Sequence, residues 1–229
     1  MEFKYRFTFP DKSEHVVDIV LEDDTLSLQL KPRKDPPEWT KLGYHQCEGC
    51  LLKEKEHPHC PAALVLLEMV LRFKDCNASQ LVDIEIHTER HTYCRRGPLS
   101  LGMSSLVAVC LPACGCPVLD KIRPMVFTHL PFASLQQNLH RQLANYMLAQ
   151  YFRSRRGLEP DWEMKGMVAL SEDIHTVNRN LCQRISSACP KDATVNSVVH
   201  LDCFAGNASL ALKRKGLAQI ERCFAAYFR

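Results

Sequence analysis

Glycine is scarce in this chain: 229 residues carry 9 of them. That supply argues against a Gly-rich phosphate-cradling loop and against a flexible low-complexity linker. No apolar run reaches the roughly 20 residues that span a bilayer. The longest, LSLGMSSLVAVCLPACGCPVL, is broken by Gly102, Pro112 and Gly115. The first residues, MEFKYRFTFPDKSEH, have neither the apolar segment nor the cleavage site of a secretory signal. A cytoplasmic protein without a membrane-embedded part is expected. The net charge of +3 is too small to argue for nucleic acid. Two basic patches, Arg153–Gly157 and Arg95-Arg96, have no aromatic residues interleaved, so no nucleic-acid partner is expected. The chain also lacks G-x-S-x-G, H-E-x-x-H and Walker motifs.

Cysteine, by contrast, is plentiful, with 12 in the chain. In a reducing compartment these are thiols, metal ligands or catalytic groups rather than disulfides. Cys182, Cys203 and Cys223 lie among apolar residues and read as small core hydrophobes. Three others fall in HQCEGCLLKEKEHPHCP, His45 to Pro61, together with three histidines.

The hydrophobic pattern predicts an α+β fold in a single domain over residues 1–229. FKYRFTF puts Phe3, Tyr5, Phe7 and Phe9 on one face of a strand, and Lys4, Arg6 and Thr8 on the other. HVVDIVLE and TLSLQLK follow, predicting a three-stranded antiparallel meander within residues 1–44. Residues 45–132 form a cysteine-rich, metal-binding seam with a short hairpin and helices. Pro61 suits the first position of a buried helix, AALVLLEMVLRF. QLVDIEIH and HTYCRR pair as a second hairpin, and Pro98 opens a helix reaching about Val109. Residues 133–229 form a helical layer. One helix follows Ser134, and Asp161 caps the next. That helix carries the stripe Met167, Leu170, Ile174, Val177, Leu181 and Ile185. Pro190 ends it, Asp192 caps a last helix, and Gly206-Asn207 interrupts the pattern before a final amphipathic piece.

The chemistry concentrates in the seam. Cys47-x2-Cys50 lets two thiolates on one tight turn share a metal ion, and Cys60 offers a third. A tetrahedral site needs a fourth ligand. His57 or His59 could supply it locally, and Cys116 could supply it from a distance. Cys60 and Cys116 each precede a proline expected to open a helix, where the positive end of the macrodipole favours a thiolate. His59, beside Cys60, could instead donate to a sulfur. Zinc is the default occupant of such a site. A [4Fe–4S] cluster is the alternative, because cysteine followed by proline recurs in cluster-binding sequences.

Several further segments carry a resemblance. EHPHCP at Glu56–Pro61, GCP at Gly115–Pro117, RPM at Arg123–Met125, HLPFA at His129–Ala133, PDW at Pro160–Trp162 and TVNR at Thr176–Arg179 accompany the C-x2-C pair. In combination the chain resembles an uncharacterised bacterial family, a domain of unknown function, from about residue 3 to beyond residue 200. The resemblance implies that Cys116 belongs with Cys47, Cys50 and Cys60. It implies no activity. Leu51 stands where the family pattern has proline.

The functional expectation is therefore a metal-binding protein, a binding or regulatory domain held by a four-cysteine zinc site. The long amphipathic helices offer a surface for a protein partner. The alternative is a redox enzyme or redox sensor that carries a [4Fe–4S] cluster on the same four cysteines. Outside the seam, His129 reads as a core histidine, Arg123 as a carbonyl cap, and His175, Asn178 and Arg179 as a solvated helix face. Asp83 and Glu85 fall on the outer face of a strand.

Overall fold

The computed structural model describes residues 1–31, 33–186 and 217–229. Strands β1 (Glu2–Thr8) and β2 (Glu14–Val20) form a hairpin, and β3 (Leu81–Thr88) and β4 (Thr92–Pro98) form another. The two hairpins join in one antiparallel sheet of order β2-β1-β3-β4. The alternation of β1 decides which face is buried. Phe3, Tyr5, Phe7 and Phe9 point inward beside Val82, Ile84 and Ile86 of β3. Outward, the charges pair across strands: Lys4 with Asp18, Arg6 with Glu14 and Glu85, and Arg96 with Asp83. Asp83 and Glu85 thus belong to an ionic outer face, as their spacing predicts.

The expected three-stranded meander is not what forms. The TLSLQLK segment contributes a single bridge, Leu21 to Leu28, and Leu26 adopts a positive φ of 55°. A left-handed residue inside the segment turns its backbone away from an extended ladder. The 81–98 hairpin takes the place beside β1 instead. It offers a longer apolar face and full register, with Tyr5 opposite Ile86 and Phe7 opposite Ile84.

Helices α1 (Pro61–Phe73) and α2 (Leu99–Cys110) belong to the same core as the apolar face of the sheet. α2 comes so close that a Cβ on Gly102 would meet Phe7 Cε1 at 2.5 Å. This glycine serves close packing, not chain freedom. On α1, Phe73 meets the Phe7 ring edge-on at 5.2 Å. Beyond these lie α3 (Pro124–Phe127), α4 (Leu135–Arg155), α5 (Lys165–Ser186) and the short α6 (Ala218–Arg222). α4 begins with a capping box: Ser134 Oγ accepts from Gln137 N, and Gln137 Oε1 accepts from Ser134 N.

α5 buries Met167, Ile174, Val177, Leu181 and Ile185, the stripe read from the sequence. Asp161 anchors its start from a distance, accepting from Gly166 N and from the Tyr146 hydroxyl. The expected stop at Pro190, the helix capped by Asp192, the Gly206-Asn207 break and Cys203 lie outside the described residues. Among the described residues no helix is long and apolar enough to cross a membrane.

Candidate functional site

The segment from Lys41 to Cys60 is a loop with one buried residue, Leu42. Two backbone bonds tie its ends: Leu42 N donates to Pro58 O and Cys60 N to Thr40 O. At its tip Cys50 N donates to Cys47 O at 3.1 Å, and Gly49 sits at φ 74°. That is the third position of a type II turn, where a positive φ makes glycine the natural residue. Glu48-Gly49 between the two cysteines therefore folds them onto one side of a tight turn.

Cys60 is the N-cap of α1, followed by Pro61 at the first helical position, and no side-chain hydrogen bond caps that helix. Its sulfur is left available at the positive end of a helix of 13 residues. Cys116 departs from the expected parallel. Pro117 opens a turn, and the segment continues only as a 3-10 stretch, Leu119–Ile122. The local electrostatics are still favourable, because the backbone N–H groups of Leu119 and Val118 both favour the Cys116 thiolate.

These four thiols converge from three separate stretches of chain. Burial pushes Cys47 up to about 11, and Cys60, Cys116 and Cys50 push in the same direction. Burial also raises Cys116, to which Cys60 and Cys50 add. Cys114, at the same turn, is raised well above the ordinary thiol range by burial first and then by Cys116. Cys47, Cys114 and Cys116 thus feel their neighbours' charge, although no three His, Cys, Asp or Glu among the described residues form a finished ligand set. The two observations concern different length scales. Charge acts across gaps that a zinc–sulfur bond of about 2.3 Å does not bridge, and neutral thiols have no attraction to draw them closer. The donor chemistry of four thiols is that of a soft-metal ligand set.

The two further candidate ligands are histidines of the loop. His57 is exposed. His59 Nδ1 lies 2.9 Å from Thr40 Oγ1, whose own hydrogen goes to Pro37 O at 2.7 Å. The hydroxyl must therefore accept, so His59 carries its proton on Nδ1 and pins the base of the loop to the 37–40 turn.

Arg184 was not singled out by its sequence, yet it governs this region. It is 2% exposed. From the last turn of α5 it donates to Trp39 O (2.9 Å), Lys41 O (2.7 Å) and Leu42 O (2.9 Å). Its charge also favours the Cys47 thiolate. The available signal was its position: three residues after Leu181 and seven after Val177, on the apolar stripe. Asn178 falls on this buried side as well, against the expectation of a solvated face. Position 178 follows Ile174 by four and Val177 by one, which turns its side chain inward.

His129 is a core histidine, though its partners are side chains. Its Nε2 lies 3.0 Å from Tyr5 Oη and 3.1 Å from Ser105 Oγ. The Ser105–His129 distance would suit a nucleophile and its base. However, burial, helped by Arg141, pushes His129 down to about 3, and Ser105 sits within α2. An imidazole so reluctant to take a proton is a poor general base near neutral pH. Arg123 caps carbonyls as expected, donating to Thr25 O and Pro112 O, and it pairs with Asp120.

The chain belongs to the family described as Domain of unknown function (DUF6901), whose family model matches residues 3–225. No curated protein and no solved structure matches it.

Proposed function

We propose that this protein is a cytoplasmic metal-binding domain with a binding or regulatory role. In this reading Cys47, Cys50, Cys60 and Cys116 hold one zinc ion. The observation that carries the proposal is the convergence of these four thiols at a loop with almost no core of its own. Zinc with four thiolates supplies cross-linking rather than catalysis. It would join the 41–60 loop, the start of α1 and the turn after α2. Arg184 offsets part of the negative charge of such a site while it holds the loop base. Binding would draw the sulfurs inward and release their protons, so metal affinity becomes part of folding free energy.

The test is metal analysis with an ultraviolet–visible spectrum on protein purified without oxygen. One zinc per chain and no visible absorption supports the reading. About four irons with broad visible absorption would replace zinc by a [4Fe–4S] cluster on the same ligands. Cys47→Ser should lower both metal content and Tm. Unchanged metal stoichiometry in that variant would remove Cys47 from the site and sink the four-cysteine proposal.

A further inference from the structure

A cavity of ≈ 130 Å³ lies between α2, α3, α4 and α5, on the far side of the Ser105–His129 contact from β1. Among the described residues no cysteine, aspartate or glutamate lines it. Its walls are largely apolar: Leu101, Ala108, Leu119, Ile122, Phe132 and Ile174. Into this apolar surround the protein places one full positive charge, Arg141. Two of the guanidinium nitrogens are engaged, Nη1 with Asn138 Oδ1 at 2.9 Å and Nη2 with Met125 O at 2.6 Å. The third, Nε, is buried with no hydrogen-bond partner among the described residues.

A guanidinium has five N–H donors, and these two bonds leave a second hydrogen on each of Nη1 and Nη2. Among the described residues no carboxylate of the cavity lining balances the charge. Asn138, also on the wall, has its oxygen committed to Arg141, which leaves the hydrogens of its Nδ2 as further donors. Donors and positive charge at one place, with apolar walls elsewhere, describe a receptor for an amphipathic anion. Size narrows the class. A dry apolar cavity of about 150 Å³ holds benzene, so this one suits a body of about one ring or a short branched chain.

We propose that this cavity binds a small amphipathic carboxylic acid, its carboxylate on the Arg141 guanidinium and Asn138 Nδ2 and its apolar body between α2 and α5. His129 contributes a neutral wall, since burial keeps it from adding a second charge. The site is separate from the thiols, and its occupancy does not depend on the metal proposed above.

Benzoate, 3-methylbutyrate and hexanoate are the probes, titrated into the full-length protein with whatever metal it carries. Benzyl alcohol serves as the neutral counterpart of benzoate. Calorimetry gives the affinity, and the methyl resonance of Met125, which lines the cavity, reports the place. At least one acid should bind with one-to-one stoichiometry and shift Met125. Benzoate should bind roughly tenfold or more tightly than benzyl alcohol, the scale of one charge-assisted contact. Arg141→Met should bring benzoate down to the level of the alcohol. Ala108→Phe, which leaves the cation in place and fills the space, should abolish binding of both. The second variant keeps the test decisive if loss of Arg141 unfolds the chain. The proposal fails if none of the three acids binds, if acid and alcohol bind alike, or if Ala108→Phe leaves binding intact.

Discussion

The sheet with α1 and α2 and the loop over 41–60 are held by different physics. In the first, Tyr5, Phe7, Phe73, Ile84, Ile86, Leu99, Met103 and Leu106 are all essentially removed from water. Each contributes on the order of 1.5–3 kcal/mol through burial. The loop has Leu42 alone. It is held by two backbone bonds at its base, by the Thr40–His59 contact and by the three bonds from Arg184. Apolar packing is tolerant of small shifts in direction; a set of carbonyls bound to one guanidinium is not. The loop therefore depends on few contacts, and a metal joining its thiols would add the constraint that packing does not supply.

Breaking the packed half should cost most. Phe7→Ala removes a fully buried ring from between α2 and Phe73. A loss of about 3–5 kcal/mol is expected, read as a lower urea midpoint at unchanged metal stoichiometry. Next comes the clamp of the other half. Arg184→Met keeps the apolar stem and strips donors from Trp39, Lys41 and Leu42. A cost of about 3 kcal/mol follows if the carbonyls stay partly buried. Unlike Phe7→Ala, it should speed amide exchange at Leu42 and Cys60 before it affects β1.

A pH titration then probes the seam between sheet and helices. Folded His129 titrates at about 3, well below the unfolded value of about 6.5. Between these values the unfolded chain binds more protons, so the folded state loses stability as pH falls. The contribution is fully present above about pH 6.5 and declines below it by up to about 1.4 kcal/mol per unit. Denaturation curves at pH 7 and pH 5.5 should therefore differ more for the native protein than for His129→Asn. An equal difference would show that His129 is not held neutral. The smallest effect belongs to a local signal: Ser134→Ala removes the capping box of α4 and should cost about 1 kcal/mol. It should leave both halves of the comparison otherwise unchanged.

The strands β1, β3 and β4 were legible because alternation with a period of two fixes which side chains meet the core. The helix starts at Pro61 and Ser134 were legible because caps are local. In the seam, the Cys47–Cys50 turn could be read from its glycine, since only two intervening residues are involved. Elsewhere the reading failed for reasons of distance. TLSLQLK has strand composition but lost its place to the 81–98 hairpin, and no local pattern records that competition. The helix expected after Cys116 became a 3-10 stretch, so backbone amides replace the macrodipole beside that thiol. Asn178 looked solvated because polarity was weighed above its position on the stripe, and Arg184 went unread for the same reason.

By itself, then, the sequence determined the chain's secondary structure where periodicity is strong, the apolar face of the sheet, and the clustering of soft ligands near Cys47, Cys50 and Cys60. All of these rest on spacing within a few residues. Tertiary structure alone decided that Cys116 approaches those three, that Arg184 enters the interior to hold three carbonyls, and that His129 meets Tyr5 and Ser105 across the core. Partners 24 to more than 140 residues apart are selected by how layers pack, and that selection follows from the whole set of buried surfaces, which no short window of the chain contains.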